Sequence, residues 1–160
     1  MPHAAPAPTT RGALSPASSV TATRAELLHT ITLTALRVVA GLMLAQHGVQ
    51  KLFGLLLAPD REWGGAPAIL SQPWIAGVLE VGGGVLLAIG LFTRPVAFVL
   101  SGLMAAAYFL AHAPRGFWPV LNRGELPALY CFVFLMLAVV GGGRYSLDAV
   151  LARRRRASAG

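Results

Sequence analysis

Charge is what this chain has least of. Only 12% of its 160 residues are charged, and six of them are acidic. With 56% hydrophobic residues and a mean hydropathy of +0.66, a water-soluble domain is excluded, because too few polar groups remain to cover its surface. Cysteine is nearly absent as well. One residue, Cys131, rules out an internal disulfide and any C-x-x-C redox or haem-attachment motif, and its apolar setting reads as a small core position. Bases outnumber acids by a net +7, yet this is no nucleic-acid signal. Arg37 and Lys51 lie inside an apolar stretch, and Arg153–Arg156 form a terminal run suited to anionic lipid headgroups.

Long apolar stretches are present instead. A spanning helix needs about 20 mostly apolar residues. Residues 31–52, 74–92, 95–113 and 125–142 qualify, the second and third being parted only by Thr93-Arg94. No polar stripe breaks 95–111, whose only polar side chains are Ser101 and Tyr108. The expected fold is an all-α integral membrane four-helix bundle with up-down antiparallel topology. Residues 1–28, rich in Ala, Pro, Ser and Thr, are expected to be a disordered cytoplasmic tail without secretory-signal character. Residues 29–150 form the transmembrane domain, and 151–160 a basic cytoplasmic tail. Four spans put Arg11, Arg24, Arg94, Arg144 and Arg153–Arg156 on one side, against Arg61, Arg115 and Arg123 on the other. The positive-inside rule then places both termini in the cytoplasm, with Trp63, Trp74 and Trp118 in an outer aromatic belt.

Against this apolar background a few ionisable residues stand out. A charge near the bilayer centre costs roughly 2.5–3.5 kcal/mol even on the lenient insertion scale, so such groups face the bundle and find partners. At about 100° per residue, Arg37, His47 and Lys51 share one side of the first helix. Arg37 lies about 21 Å from Lys51 along the axis and so belongs to the cytoplasmic half, with a structural role. Glu80, the lone ionisable residue of the second stretch, matches the depth of His47 and Lys51 and pairs with one of them. Ala76, Gly84 and Ala88 flank it at every fourth position, a spacing that lets the first helix come close. Depth counting adds Tyr108, His112 and Glu125 from the later helices. The candidate site is therefore His47, Lys51, Glu80, Tyr108, His112 and Glu125, in the outer half of the bundle. His112, Arg115 and Glu125 also faintly echo the order of His47, Lys51 and Glu80. Haem held by His47 and His112 is disfavoured, because each has a basic neighbour three or four residues on, and Lys51 argues against a metal site. The alternative reading of the cluster is structural, with ion pairs that fix helix register.

Several short motifs occur in a fixed order. They are Arg37-x9-His47-Gly48-x2-Lys51-Leu52-Phe53-Gly54, Trp74-x2-Gly77-x-Leu79-Glu80-x-Gly82-Gly83, Gly90-Leu91-x-Thr93-Arg94, Gly116-Phe117-x-Pro119 and Gly143-x2-Ser146-Leu147-Asp148. In this pattern, over residues 33–150, the chain resembles the DoxX family of small four-helix membrane proteins. The resemblance implies a quinone as the cofactor and a role as a quinone-linked redox subunit. It equally implies a membrane partner of an oxidoreductase complex in the bacterial cytoplasmic membrane. The expected partners are the lipid bilayer, other membrane or peripheral redox subunits, or further copies of the chain. The family's thiosulfate chemistry does not carry over on these residues, and the lone cysteine excludes the four-helix quinone-linked disulfide enzymes. A non-enzymatic assembly or small-solute permeation protein is the competing class.

Overall fold

The computed structural model describes residues 16–60 and 62–160. Among them there is no strand. The elements are α1 (Pro16–Phe53), α2 (Gln72–Ile89), α3 (Thr93–Ala107), α4 (Pro119–Asn122), α5 (Glu125–Val140) and α6 (Leu147–Ala157). A π-helical turn (Tyr108–His112) and a 3-10 turn (Ala113–Arg115) prolong α3. Thr23–Phe53, Gln72–Ile89 and Thr93–Arg115 are long and apolar enough to cross a membrane. The fourth apolar helix, α5, has 16 residues and extends about 24 Å, short of a ~30 Å hydrocarbon core. It stops at Val140 rather than at residue 142, because Gly141 takes a φ of +88°.

The molecule wears much of its hydrophobicity outside. Phe98, Leu129, Phe132 and Val139 are each at least 64% exposed, in helices that bury few of their residues. In water such a surface would aggregate, whereas lipid covers it without cost. The buried core is a thin seam of Leu33, Ala40 and Leu44 on α1, Leu87 on α2, Ala97, Leu100 and Met104 on α3, and Tyr130, Phe134 and Leu137 on α5. Ser101 donates to the Cys131 carbonyl at 2.8 Å and links α3 to α5.

Helices α1 and α2 touch through backbone. A Cβ built on Gly41 would lie 2.6 Å from the Gly84 carbonyl oxygen, and one on Gly48 would lie 2.6 Å from that of Gly77. Rising numbers on α1 meet falling numbers on α2, so the pair is antiparallel. Small residues are needed because apolar side chains drive no association in lipid and close van der Waals contact must do it.

Three boundaries depart from the sequence expectation. Helix α1 begins at Pro16, so residues 16–28 are helical rather than a disordered tail, while residues 1–15 lie outside the described residues. Pro16 opens the helix where its missing N–H is no loss, and Ala25, Glu26, Leu27 and Leu28 are good helix formers. The α2–α3 turn falls at Gly90–Phe92, and Thr93-Arg94 instead open α3. Gly90, at φ +74°, carries the left-handed residue of a Schellman ending: Leu91 N–H donates to Leu86 and Gly90 N–H to Leu87, both at 3.0 Å. The connection left between the expected spans 95–113 and 125–142 contains the short helix α4.

At this turn Arg37 takes its structural role. It is 1% exposed and donates to the carbonyls of Leu87 (2.7 Å) and Ala88 in the last turn of α2, and to Tyr145 (3.1 Å). A cation here adds a charged donor to the carbonyls of the last turn and sits at the negative end of the helix dipole. Asp148, at the start of α6, does the converse for α3. Its carboxylate accepts from the amides of Phe92 and Thr93, both at 2.8 Å. Burial pushes the Asp148 carboxyl up, but the Thr93 amide and side chain, the Phe92 amide and the Arg37 charge outweigh it and hold the group below the usual carboxylate range.

Candidate functional site

At the opposite end from this clasp the helices part around a cavity of about 260 Å³. Leu44, His47 and Lys51 line it from α1, spaced so that they share one face. Glu80 enters from α2, Met104 and Ala107 from α3, His112 from the π-helical turn, and Leu126, Pro127 and Tyr130 from α5. Arg123 completes the wall.

Lys51 Nζ donates to Glu80 Oε1 at 2.6 Å. The pair is lopsided, since the Lys51 side chain is 41% exposed and that of Glu80 only 4%. The lysine reaches in from the surface, whereas the carboxylate has lost its solvent. Desolvation of Glu80 offsets the Coulomb attraction, so the pair is weak evidence for a stabilising role. The other carboxylate oxygen, Oε2, is buried and has no hydrogen-bond partner among the described residues. The Tyr130 hydroxyl, in the same cavity wall, is in the same condition. Two orphaned polar atoms on residues that line one cavity leave a large unmet demand, because each buried unsatisfied group costs roughly 1–3 kcal/mol. The Tyr130 ring is held by stacking on Phe134, with centroids 5.3 Å apart.

His112 is oriented from behind. Its Nδ1 lies 3.1 Å from the Asn122 carbonyl oxygen, which can only accept, so Nδ1 carries the proton and Nε2 is the ring's free nitrogen. Asn122 is 1% exposed and organises the segment over the cavity. Its amide donates to the Gly116 carbonyl at 2.7 Å, and its Oδ1 accepts from Gly124 N–H at 2.8 Å. A π-helical turn such as Tyr108–His112 inserts a residue into the helix and re-aims the side chains beyond it.

Of the six residues expected here, His47, Lys51, Glu80 and His112 share the cavity. Two do not. Tyr108 packs against Gly124 and donates weakly to the Phe117 carbonyl at 3.4 Å. Glu125 is exposed in the first turn of α5, where an acid suits the helix dipole. Counting depth fixed the level of both residues but not their direction around the helix. The echo of the first motif in the second fails with them, since Arg115 folds back onto the Ala111 carbonyl of its own helix. Arg123 and Tyr130 are additions. Tyr130 stands on the buried face with Phe134 and Leu137, and a hydroxyl on that face was the available signal. For Arg123 the sequence held none.

These features define an all-helical membrane protein with a small, largely apolar cavity, edged by ionisable side chains, near one end of its spans. The DoxX family model matches residues 32–113, and the chain belongs to that family. A Haemophilus influenzae protein described as uncharacterized is 42% identical over 118 residues, covering 71% of this chain and 85% of its own length. A Mycobacterium tuberculosis protein, described as an uncharacterized membrane protein, is 32% identical over 136 residues, covering 76% of this chain and 82% of its own. No solved structure matches.

Proposed function

We propose that this DoxX-family protein is a membrane subunit that holds the polar head of a quinone-type molecule in the cavity between Lys51, Glu80, His112 and Tyr130, and serves an oxidoreductase complex as a redox subunit or membrane partner. One observation carries the reading: Glu80 Oε2 and the Tyr130 hydroxyl are buried and unpaired, and both belong to residues that line one cavity. The residues fit such a head. At about 260 Å³ the cavity lies near the low end of ligand pockets, which begin at roughly 300 Å³, so it suits a ring while an attached tail stays in lipid.

When bound, a quinone supplies reversible two-electron, two-proton chemistry. The chain's own part is to position oxygen atoms and move protons. Lys51 Nζ and the Tyr130 hydroxyl donate to carbonyl-type oxygens, and Glu80 Oε2 accepts from a hydroxyl. His112, its Nδ1–H fixed by Asn122, offers Nε2 as a proton acceptor. His47 adds a second imidazole to the wall. With a single cysteine the chain has no dithiol couple, so electrons arrive through a partner.

The same reading takes α5 as a fourth span in an up-down bundle, with both termini cytoplasmic and the cavity toward the outer leaflet of the bacterial cytoplasmic membrane. The excess of arginine at the clasp end supports this orientation. The test is extraction of small molecules from the detergent-solubilised protein, for the wild type and for Glu80→Gln. The expected result is quinone in the wild type and its loss from a Glu80→Gln variant that still folds. No retained molecule in the wild type, together with unfolding of Glu80→Gln, returns the Lys51–Glu80 pair to a purely structural role in an assembly or permeation protein.

A further inference from the structure

We infer that Arg123 is a specificity residue of this cavity and selects a head group bearing a negative charge. The inference rests on the ligand-site reading above and narrows its ligand class. Along the cavity wall, Lys51 and Glu80 cancel one another as a pair. The exposed Arg123 side chain is then left without a hydrogen bond or ion pair among the described residues. Its position is built rather than incidental. The backbone adopts the left-handed conformation at φ +59°, which a non-glycine residue seldom takes unless its surroundings enforce it. The enforcement comes from both sides. Arg123 directly follows Asn122, whose side chain ties Gly116 to Gly124 and is almost fully buried. A side chain on Gly124 would strike Asn122 Oδ1 and the Tyr108 ring. The left-handed turn at the end of α4 thus fixes the backbone at Arg123, whose exposed side chain lines the cavity and offers a planar fork of donors that matches a carboxylate or an ionised enolic oxygen. The ligand class is an amphiphile whose ring or chain stays apolar while one edge of its head is acidic and another offers a hydrogen to Glu80 Oε2.

Equilibrium titration tests this with the purified full chain in phosphatidylcholine nanodiscs. One probe is a hydroxynaphthoquinone, ionised at neutral pH, and the other its neutral methoxy analogue. The expected result is about tenfold tighter binding of the ionised probe, the scale of one charge-assisted hydrogen bond to an exposed side chain. Arg123→Gln should abolish that preference, while Arg123→Lys keeps part of it, both variants melting as the wild type does. Equal binding of the two probes, or a preference that survives Arg123→Gln, overturns the role of Arg123 and leaves the ligand site standing. A preference that vanishes when phosphatidylglycerol is added assigns Arg123 to lipid phosphate and also overturns it. Failure of both probes to bind overturns the inference and the ligand site together.

Discussion

Replacing Arg37 with methionine isolates the clasp from the cavity, which His47 and Lys51 line near the C-terminal end of α1. The guanidinium is 1% exposed and serves three carbonyls on two elements, Leu87 and Ala88 of α2 and Tyr145 before α6. Methionine keeps much of the volume, so the loss is hydrogen bonding rather than packing. Each bond to a charged group contributes roughly 1.5–3 kcal/mol, but the Leu87 and Ala88 carbonyls share one nitrogen and the desolvation cost of the cation is recovered. Together these terms give a net destabilisation of about 3–4 kcal/mol. For a chain of this size each kcal/mol moves the midpoint by about 2–4 °C, so thermal unfolding in detergent should fall by roughly 6–16 °C. Arg115→Met, which removes an exposed contact within one helix, is the control and should shift it by less than about 2 °C. A drop for Arg37→Met no larger than that of the control would refute the clasp.

The packing and the titration of the clasp set further expected outcomes. Gly48→Ala should destabilise by about 1–3 kcal/mol, because its Cβ would meet Gly77 oxygen and Val81 nitrogen, which cannot yield; Gly82→Ala, with open space around it, should be neutral or slightly stabilising in the same melts. Asp148 has a folded pKa below its unfolded value of about 3.9, so its stabilisation is present above that value and is lost as pH falls through the folded one. Melting curves of the wild type should therefore fall more steeply below about pH 4 than those of Asp148→Asn, and parallel curves would contradict the helix-capping role. Asn122→Ala should speed hydrogen exchange at Gly124 and cost about 0.5–1.5 kcal/mol, since the Gly124 N–H is left with the Pro119 carbonyl alone and the exposed Gly116 carbonyl turns to solvent.

Much of the candidate site is legible in the sequence because its signal is energetic. A lone glutamate in an apolar stretch must find a cation, and Lys51 stands at the matching depth. Azimuth is harder. Tyr108 and Glu125 lie at the right level but turn away, and the π-helical turn that intervenes before His112 leaves no mark in hydropathy. Arg123 owes its place to a left-handed backbone that sequence would sooner assign to the adjacent Gly124, which instead has φ −94°. The clasp is half visible. Arg37 is set apart by its distance from Lys51, while its partners are backbone carbonyls, which every residue carries and no pattern reveals.

Whether the cavity with its two orphaned atoms takes a polar head is the central question. The most direct measurement is a binding isotherm for a short-tailed neutral quinone on the wild type, Glu80→Gln and Tyr130→Phe, each checked for an unchanged melting temperature. The expected result is saturable binding in the wild type that weakens by about tenfold in each variant, the scale of one hydrogen bond to a buried group. Binding of equal strength in all three folded proteins would contradict it.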